Sequence, residues 1–101
     1  MSKYTMGDGT IVDTAKAQAD YEEATRWDGR NLISVATGDQ WVHEKLFQSR
    51  KGNWYLEHWS NWQGSTPSAE WVTERRAAEW LLANKHDLPE SLAKFAELIE
   101  E

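Results

Sequence analysis

The sequence predicts an α+β fold in which a small antiparallel sheet is packed on one face by three helices. The centre of the chain contains two runs rich in aromatic and β-branched residues on either side of a glycine-containing turn. The C-terminal third carries apolar residues at helical spacing. A length of 101 residues leaves room for one modest hydrophobic core, so we expect a single domain over residues 1–101.

The first predicted element is an N-terminal hairpin formed by residues 4–6 and 10–12. The turn between them is Gly7-Asp8-Gly9, and glycine on both sides of the aspartate permits the positive φ that tight hairpin turns require.

A helix is predicted to follow this hairpin. Asp13 or Thr14 offers a side-chain oxygen to the free N–H groups of a first turn, and we expect the helix to run to about Arg26. Residues 27–40 are interrupted by glycine and asparagine and indicate a loop with one short strand. The apolar stripe of the helix is narrow, so it is expected to cover an edge of the sheet; its members are Ala17, Tyr21 and Ala24.

The central hairpin is predicted from "WVHEKLFQS" (41–49) and "NWYLEHWSN" (53–61), joined by a three-residue loop that ends in Gly52. This loop type places Ser49 opposite Asn53 and fixes the register of both strands. The more aliphatic face is expected to meet the helices and contains Val42, Leu46, Trp54 and Leu56. The other face is aromatic, is crossed by a predicted Lys45–Glu57 ion pair, and contains Trp41, His43, Phe47, Tyr55 and Trp59.

The C-terminal third is predicted to form one further strand and two helices. The strand covers residues 70–73 and ends in Thr73, which can cap a helix over residues 74–85. Asp87 and Glu90 have the spacing of a capping box for a last helix over residues 89–101. The core stripe expected in that helix is Leu92, Phe95, Ala96 and Ile99.

Composition excludes several classes of function. The formal net charge is −6 and the pI is about 5.0, so nonspecific attraction to nucleic acid phosphates is unfavourable. The chain contains no cysteine, which excludes disulfides, cysteine-bound zinc and thiol catalysis. No apolar run has the length of a membrane span and the N-terminus has no signal pattern, so we expect a cytoplasmic protein that does not contact membranes.

The titratable residues do not indicate catalysis, and no cofactor or metal is expected. His43 and His58 point to opposite faces of the predicted hairpin, so they cannot act as one acid–base unit. Glu44 and His58 are cross-strand partners that can form an ion pair. His86 lies in the connection between the two C-terminal helices, where a solvated or capping role is expected.

Two runs carry a resemblance to a known group of proteins. They are "EKLFQSRKGNWYLEHWSNWQGS" and "EWVTERRAAEWLLANKHDLP", together about residues 44–90. These runs resemble a loosely defined group of small acidic proteins from bacterial plasmids and phages, with an aromatic hairpin followed by a strand and an alanine- and tryptophan-containing helix. The resemblance implies an accessory protein of a mobile element that binds and blocks a host defence or regulatory protein, and it implies no catalytic residues.

The first hypothesis is therefore a non-enzymatic protein that inhibits a host complex by occlusion. Its expected contact residues are Trp41, His43, Phe47, Tyr55, Trp59 and Trp62. For Trp41, Trp59 and Trp62 the alternative is a second layer covered by residues 27–40, and the same surface would also suit a homodimer. The second hypothesis is a small nucleic-acid-binding regulator that uses Arg50, Lys51 and exposed rings. An enzyme with a site assembled from scattered residues is the third.

Overall fold

The computed structural model describes residues 2–62 and 64–99 and has an α+β fold. In chain order the strands are β1 Lys3–Thr5, β2 Ile11–Asp13, β3 Ala19–Glu22, β4 Thr25–Trp27, β5 Leu32–Ser34, β6 Val42–Gln48, β7 Trp54–Ser60 and β8 Ser68–Val72. The helix α1 covers Glu74–Ala83, and two 3-10 segments cover Thr14–Lys16 and Glu90–Leu98. No helix in the described part of the chain is long and apolar enough to cross a membrane.

The strands form three antiparallel sheets. The largest has the order β3-β6-β7-β8, and β1-β2 and β4-β5 form separate two-stranded sheets. The register predicted for the central hairpin is confirmed, with His43 opposite Trp59 and Leu46 opposite Leu56. The loop supports this register, because Ser49 N donates to Asn53 O at 2.7 Å and Gly52 has a φ of 92°.

The main hydrophobic core lies between the aliphatic face of the large sheet and α1, as predicted. Thr73 caps α1 by accepting a hydrogen bond from Arg76 N at 3.1 Å. The apolar stripe of α1 then faces the sheet at helical spacing. The fully buried members of this core are Leu46, Trp54, Leu56, Ala77, Ala78, Trp80, Leu81 and Leu92.

A second, smaller core lies on the opposite face of the same sheet. The N-terminal hairpin forms as predicted, as β1-β2, but the prediction that it belongs to one sheet with the central hairpin is wrong. It is a separate two-stranded sheet that packs over the centre of the aromatic face. The buried members are Met6, Val12, Phe47 and Tyr55. The large sheet is therefore covered on both faces, on one face by α1 and the C-terminal 3-10 helix and on the other by a hairpin.

The helix predicted after Asp13 is wrong. Asp13 does cap a turn by accepting from Ala15 N at 3.0 Å, but that turn is the single 3-10 segment Thr14–Lys16. The chain then forms β3, which adds to the free edge of β6 and places Tyr21 opposite Leu46. Alanine and glutamate favour a helix locally, and the backbone hydrogen bonds and ring packing available at the sheet edge override that preference.

The other N-terminal and C-terminal predictions are correct in part. The short strand expected within residues 27–40 is β5, which pairs with β4. The last helix forms with 3-10 geometry over Glu90–Leu98, and the capping box of Asp87 is not formed, because Pro89 stands at the N-cap and no side chain caps the helix. Residues 100 and 101 of that prediction lie outside the described residues. Of the expected core stripe only Leu92 is fully buried, while Ala96 and Ile99 are exposed.

Candidate functional site

Two exposed tryptophans meet at the open end of the central hairpin. Trp41 precedes β6 and Trp62 follows β7, and the ring centroids are 5.3 Å apart with an interplanar angle of 46°. Their residues are 40% and 60% exposed. The backbone of each residue is hydrogen-bonded: Trp41 N donates to Asp39 Oδ1, Trp41 O accepts from Asn61 N at 2.9 Å, and Trp62 N donates to Ser60 Oγ at 3.1 Å. Residues 27–40 therefore do not cover this pair of rings.

Trp59 and His43 extend the same face toward the interior. The two rings are stacked with centroids 5.6 Å apart, and both side chains are half-buried. His43 Nδ1 donates to Glu23 Oε2 at 2.7 Å, and its Nε2 accepts from Asn61 Nδ2 at 3.1 Å. This pattern satisfies a neutral imidazole with its proton on Nδ1. Glu23 also accepts from Ser34 Oγ and Glu44 N, so the carboxylate fixes His43 and the stacked Trp59.

The exposure expected for Phe47 and Tyr55 is wrong. Phe47 is 3% exposed and Tyr55 is 1% exposed, and their rings are stacked 5.2 Å apart. The physical reason is the β1-β2 hairpin, which places Met6 and Val12 against these rings. Neither residue can contact a partner directly unless that hairpin moves.

The predicted Lys45–Glu57 ion pair is also replaced by other contacts. Lys45 Nζ lies 3.8 Å from Asp20 and 3.6 Å from Glu22, both on β3. Glu57 accepts a hydrogen bond from the Tyr4 hydroxyl. Burial and the neighbouring Glu57 carboxylate raise the pKa of Tyr4 above its usual value. The sequence did not show that β1 and β3 would each approach this cross-strand pair.

The other two histidines hold the structure together. His58 has Glu44 at 3.0 Å from Nδ1 and Glu70 at 3.0 Å from Nε2, which includes the expected Glu44–His58 pair. Glu44 also accepts from Trp80 Nε1 at 3.0 Å, so this carboxylate joins the sheet to α1. His86 is half-buried: Nε2 donates to the Glu22 carbonyl at 2.6 Å, and its ring is parallel to that of Trp80.

A second exposed apolar pair lies on the β4-β5 hairpin. Trp27 and Leu32 are cross-strand partners and are 65% and 60% exposed. Asp28 closes this hairpin by accepting from Arg30 N and Asn31 N. These two hydrogen bonds lower the pKa of the Asp28 carboxyl. Sequence reasoning missed this pair, because residues 25 and 26 were predicted to end a helix and residues 27–40 were interpreted as a loop with one short strand, so no hairpin was expected here.

The tip of the central hairpin opens into a groove of about 1200 Å³, named here the basic groove. Arg50 and Lys51 line one side, and Lys3 and Lys16 line the N-terminal side. Carboxylates at the groove are Asp8, Asp13 and Glu74, so the lining carries four Lys/Arg against three Asp/Glu, whereas the whole chain carries −6. The sequence identified Arg50 and Lys51 but gave no sign that Lys3 and Lys16 would line the same groove.

The carboxylates at the groove are engaged within the protein. Asp13 caps the 3-10 turn, and Glu74 Oε1 lies 3.0 Å from Lys94 Nζ. Asp8 accepts from Thr10 N and from Trp71 Nε1, and hydrogen bonds from Thr10 lower the pKa of the Asp8 carboxyl. No ion pair of the described residues involves Lys3, Lys16, Arg50 or Lys51.

A scan against protein-family models and searches of curated proteins and of solved structures give no match for this chain. Within residues 2–62 and 64–99, no group of three or more histidine and carboxylate side chains is arranged to hold a metal ion. The exposed rings and the basic groove are therefore the features of this chain that bear on its function.

Proposed function

We propose that this chain is a non-enzymatic accessory protein of a mobile genetic element that binds a protein of a host defence or regulatory complex and inhibits it by occlusion. The observation that carries the binding part is the pair of exposed, mutually contacting tryptophans, Trp41 and Trp62. The mobile-element and inhibitor parts are supported by the resemblance of residues 44–90 to small plasmid and phage proteins. The proposed location is the cytoplasm.

The geometry of the Trp41–Trp62 pair suits a protein interface. Tryptophan is enriched among residues that dominate binding energy, because a rigid ring buries a large area at low entropic cost. The backbones of both residues are hydrogen-bonded at the ends of β6 and β7 and the two rings contact each other, so less ordering is required when a partner binds. Trp59 and His43 form a half-buried support beneath the same face.

The test is a binding comparison between two sets of exposed-residue variants. Trp41→Ala/Trp62→Ala removes the proposed contact, and Trp27→Ala/Leu32→Ala removes the other exposed apolar pair as a matched control. The immobilised protein is exposed to nuclease-treated bacterial lysate, and the retained proteins are identified by mass spectrometry and then titrated in purified form. We expect the first variant to lose about 2 kcal/mol or more of binding free energy, roughly 30-fold in Kd, with unfolding free energy changed by about 0.5 kcal/mol or less.

Two results contradict the proposal. If a stoichiometric partner binds Trp41→Ala/Trp62→Ala as tightly as wild type, the tryptophan pair is not the contact. If wild type retains no protein and sedimentation shows a concentration-dependent dimer that Trp41→Ala/Trp62→Ala abolishes, the same surface serves self-association instead. Inhibition is tested by assaying the identified complex with and without the protein, and an unchanged activity of that complex contradicts occlusion.

A further inference from the structure

We propose that the basic groove is a binding site for a phosphate-bearing ligand, either a free nucleotide or a nucleotide within single-stranded nucleic acid. The inference goes beyond the proposed function, since it concerns the opposite end of the central hairpin from the Trp41–Trp62 pair. Strands of seven residues separate the two ends by about 23 Å. Binding at the groove and binding at the Trp41–Trp62 pair can therefore be tested independently of each other.

The first argument is the arrangement of charge. Four cationic residues line one groove, Arg50 and Lys51 at the hairpin tip and Lys3 and Lys16 in the N-terminal segment. The groove lining has a formal charge of +1, which leaves −7 for the remainder of a chain whose total is −6. A local positive site on an acidic protein attracts anions to that site while the rest of the surface repels them.

The second argument is that these cations have no partner in the described part of the chain, whereas the groove carboxylates do. Asp8 and Asp13 accept backbone N–H groups, and Glu74 pairs with Lys94. The described ion pairs leave all four groove cations free to bind a ligand. Phosphate oxygens are the strong acceptors that arginine and lysine donors bind most readily.

The third argument is an unsatisfied donor in the wall of the groove. Tyr55 lines the groove, is 1% exposed, and its hydroxyl has no hydrogen-bond partner among the described residues. Burial raises the pKa of Tyr55 to about 12, with further contributions from Glu57, Asp13 and Tyr4. The hydroxyl therefore stays protonated at neutral pH and can donate a hydrogen bond to an acceptor oxygen. A buried hydroxyl without a partner is uncommon in folded proteins. Because Met6 and Val12 pack against Tyr55, an acceptor oxygen of a bound ligand would reach this hydroxyl only when the β1-β2 hairpin shifts away from the ring.

Aromatic and apolar groups at the same groove suit the base of a nucleotide. Trp71 lines the groove, is half-buried, and has its Nε1 held 3.4 Å from Asp8 Oδ1. Ile11 also lines the groove and is strongly exposed. Bases bind single-strand proteins by stacking on rings beside basic side chains, and both kinds of group are present here.

The test is fluorescence anisotropy of the full chain with 5′-fluorescein-labelled dT15, at several salt concentrations. Two charge-reversal variants address the two sides of the groove, Arg50→Glu/Lys51→Glu and Lys3→Glu/Lys16→Glu. The control is Arg26→Glu/Arg30→Glu, which makes the same change in net charge at exposed positions on β4-β5 and its turn, outside the groove. We expect each groove variant to weaken binding at least tenfold and the control to bind within about twofold of wild type. If the four cations each neutralise one phosphate, the slope of log K against log salt is about −3 for wild type.

Competition separates the sources of the phosphate. Displacement of labelled dT15 by thymidine monophosphate assigns a single-nucleotide site, and displacement by unlabelled oligonucleotide alone assigns a single-stranded segment. Tyr55→Phe removes only the unsatisfied hydroxyl, and we expect it to weaken binding of whichever ligand competes by threefold or more.

Several outcomes would overturn the assignment. Equal loss of binding in the Arg26→Glu/Arg30→Glu control would show that overall charge alone governs binding. Tighter binding of a fluorescein-labelled decaglutamate peptide than of dT15 would make the groove a site for an acidic protein segment. If the chain binds neither dT15 nor thymidine monophosphate at low salt, the groove is not a phosphate site. If Tyr55→Phe binds as tightly as wild type, the Tyr55 hydroxyl does not contact the ligand. Circular dichroism melting of every variant shows whether a loss reflects unfolding.

Discussion

The two faces of the central hairpin are covered in different ways. On one face α1 and the C-terminal 3-10 helix bury eight residues in a continuous core that includes Trp54 and Trp80. On the other face a two-stranded hairpin buries only four, and the rings at one end and the cations at the other stay accessible. We therefore expect most of the stability of this small protein to come from the α1 face, while the ends of the other face stay available for binding.

The largest expected effect of a single change is on the α1 side. Leu81 is fully buried between α1 and the sheet, so Leu81→Ala leaves a cavity in close-packed surroundings. We expect it to lower the unfolding free energy by about 3 kcal/mol. Urea denaturation followed by far-UV circular dichroism measures the change, and a loss below about 1 kcal/mol would show that α1 is not the main source of stability.

A smaller loss is expected from the hairpin side. Val12 packs on Phe47 and Tyr55 and is nearly fully buried, and Val12→Ala removes two methyl groups from that contact. We expect a loss of about 1.5 kcal/mol. In hydrogen exchange, the amides of β1 and β2 should open at lower free energy than those of β7. If Val12→Ala costs as much as Leu81→Ala, the two faces contribute equally and the comparison fails.

The smallest expected effect has the opposite sign. Tyr55→Phe removes a buried hydroxyl that has no partner in the described residues, so we expect the unfolding free energy at neutral pH to rise by about 0.5 to 1 kcal/mol. The folded-state pKa of Tyr55 is raised to about 12, above its usual value near 10. The folded protein holds this proton more tightly than the unfolded chain does. The part of the unfolding free energy that depends on the proton is therefore fully present below about pH 10 and is lost as pH rises toward 12.

Denaturation at pH 7 and between pH 10 and 12 measures both parts of that prediction. Wild type should lose stability across the alkaline range more steeply than Tyr55→Phe, and Tyr4, whose pKa is also raised, gives the remaining slope. A wild-type-like alkaline profile in Tyr55→Phe would contradict the burial of that hydroxyl. A gain in stability combined with a loss of phosphate binding would show that the groove keeps an unsatisfied donor for its ligand.

Part of the fold could be predicted from sequence because local rules fixed it. The three-residue loop ending in Gly52 determines the pairing of β6 with β7, and a slip of one residue would exchange their faces. Thr73 and the apolar spacing after it define α1 by the same kind of local pattern. These elements, with the N-terminal hairpin, give the α+β class without knowledge of tertiary contacts.

The parts of the fold that were not predicted depend on contacts between segments that are distant in the sequence. Residues 19–22 have helix-favouring alanine and glutamate, and only the free edge of β6 makes them a strand. The alternation of Ala19 and Tyr21 on the buried side was the available signal. Alternation identifies a face of a strand without stating what packs on it, which is why Phe47 and Tyr55 were expected to be exposed.

The candidate sites likewise include features that the local sequence predicts and features that depend on tertiary contacts. The exposure of Trp41 and Trp62 was one of two alternatives that the sequence allowed, and the structure selects it. Lys3 and Lys16 reach the groove only because β1-β2 packs on the sheet, so counting charges along the chain separated them from Arg50 and Lys51. The net charge of a chain does not reveal a local cluster of cationic side chains on its surface.

Asn84, at the C-terminal end of α1, links distant parts of the chain and so bears on the order of folding. Its buried side chain accepts from Ala24 N at 2.9 Å and donates to Trp80 O at 2.8 Å. The corner between β3 and β4 thus obtains its hydrogen bond from a residue 60 positions later. During synthesis, which proceeds at about 5 to 20 residues per second, β3 has no strand partner until β6 emerges, and this corner has no acceptor until α1 is complete. Residues 19–27 are therefore synthesised early but are among the last to reach their native contacts.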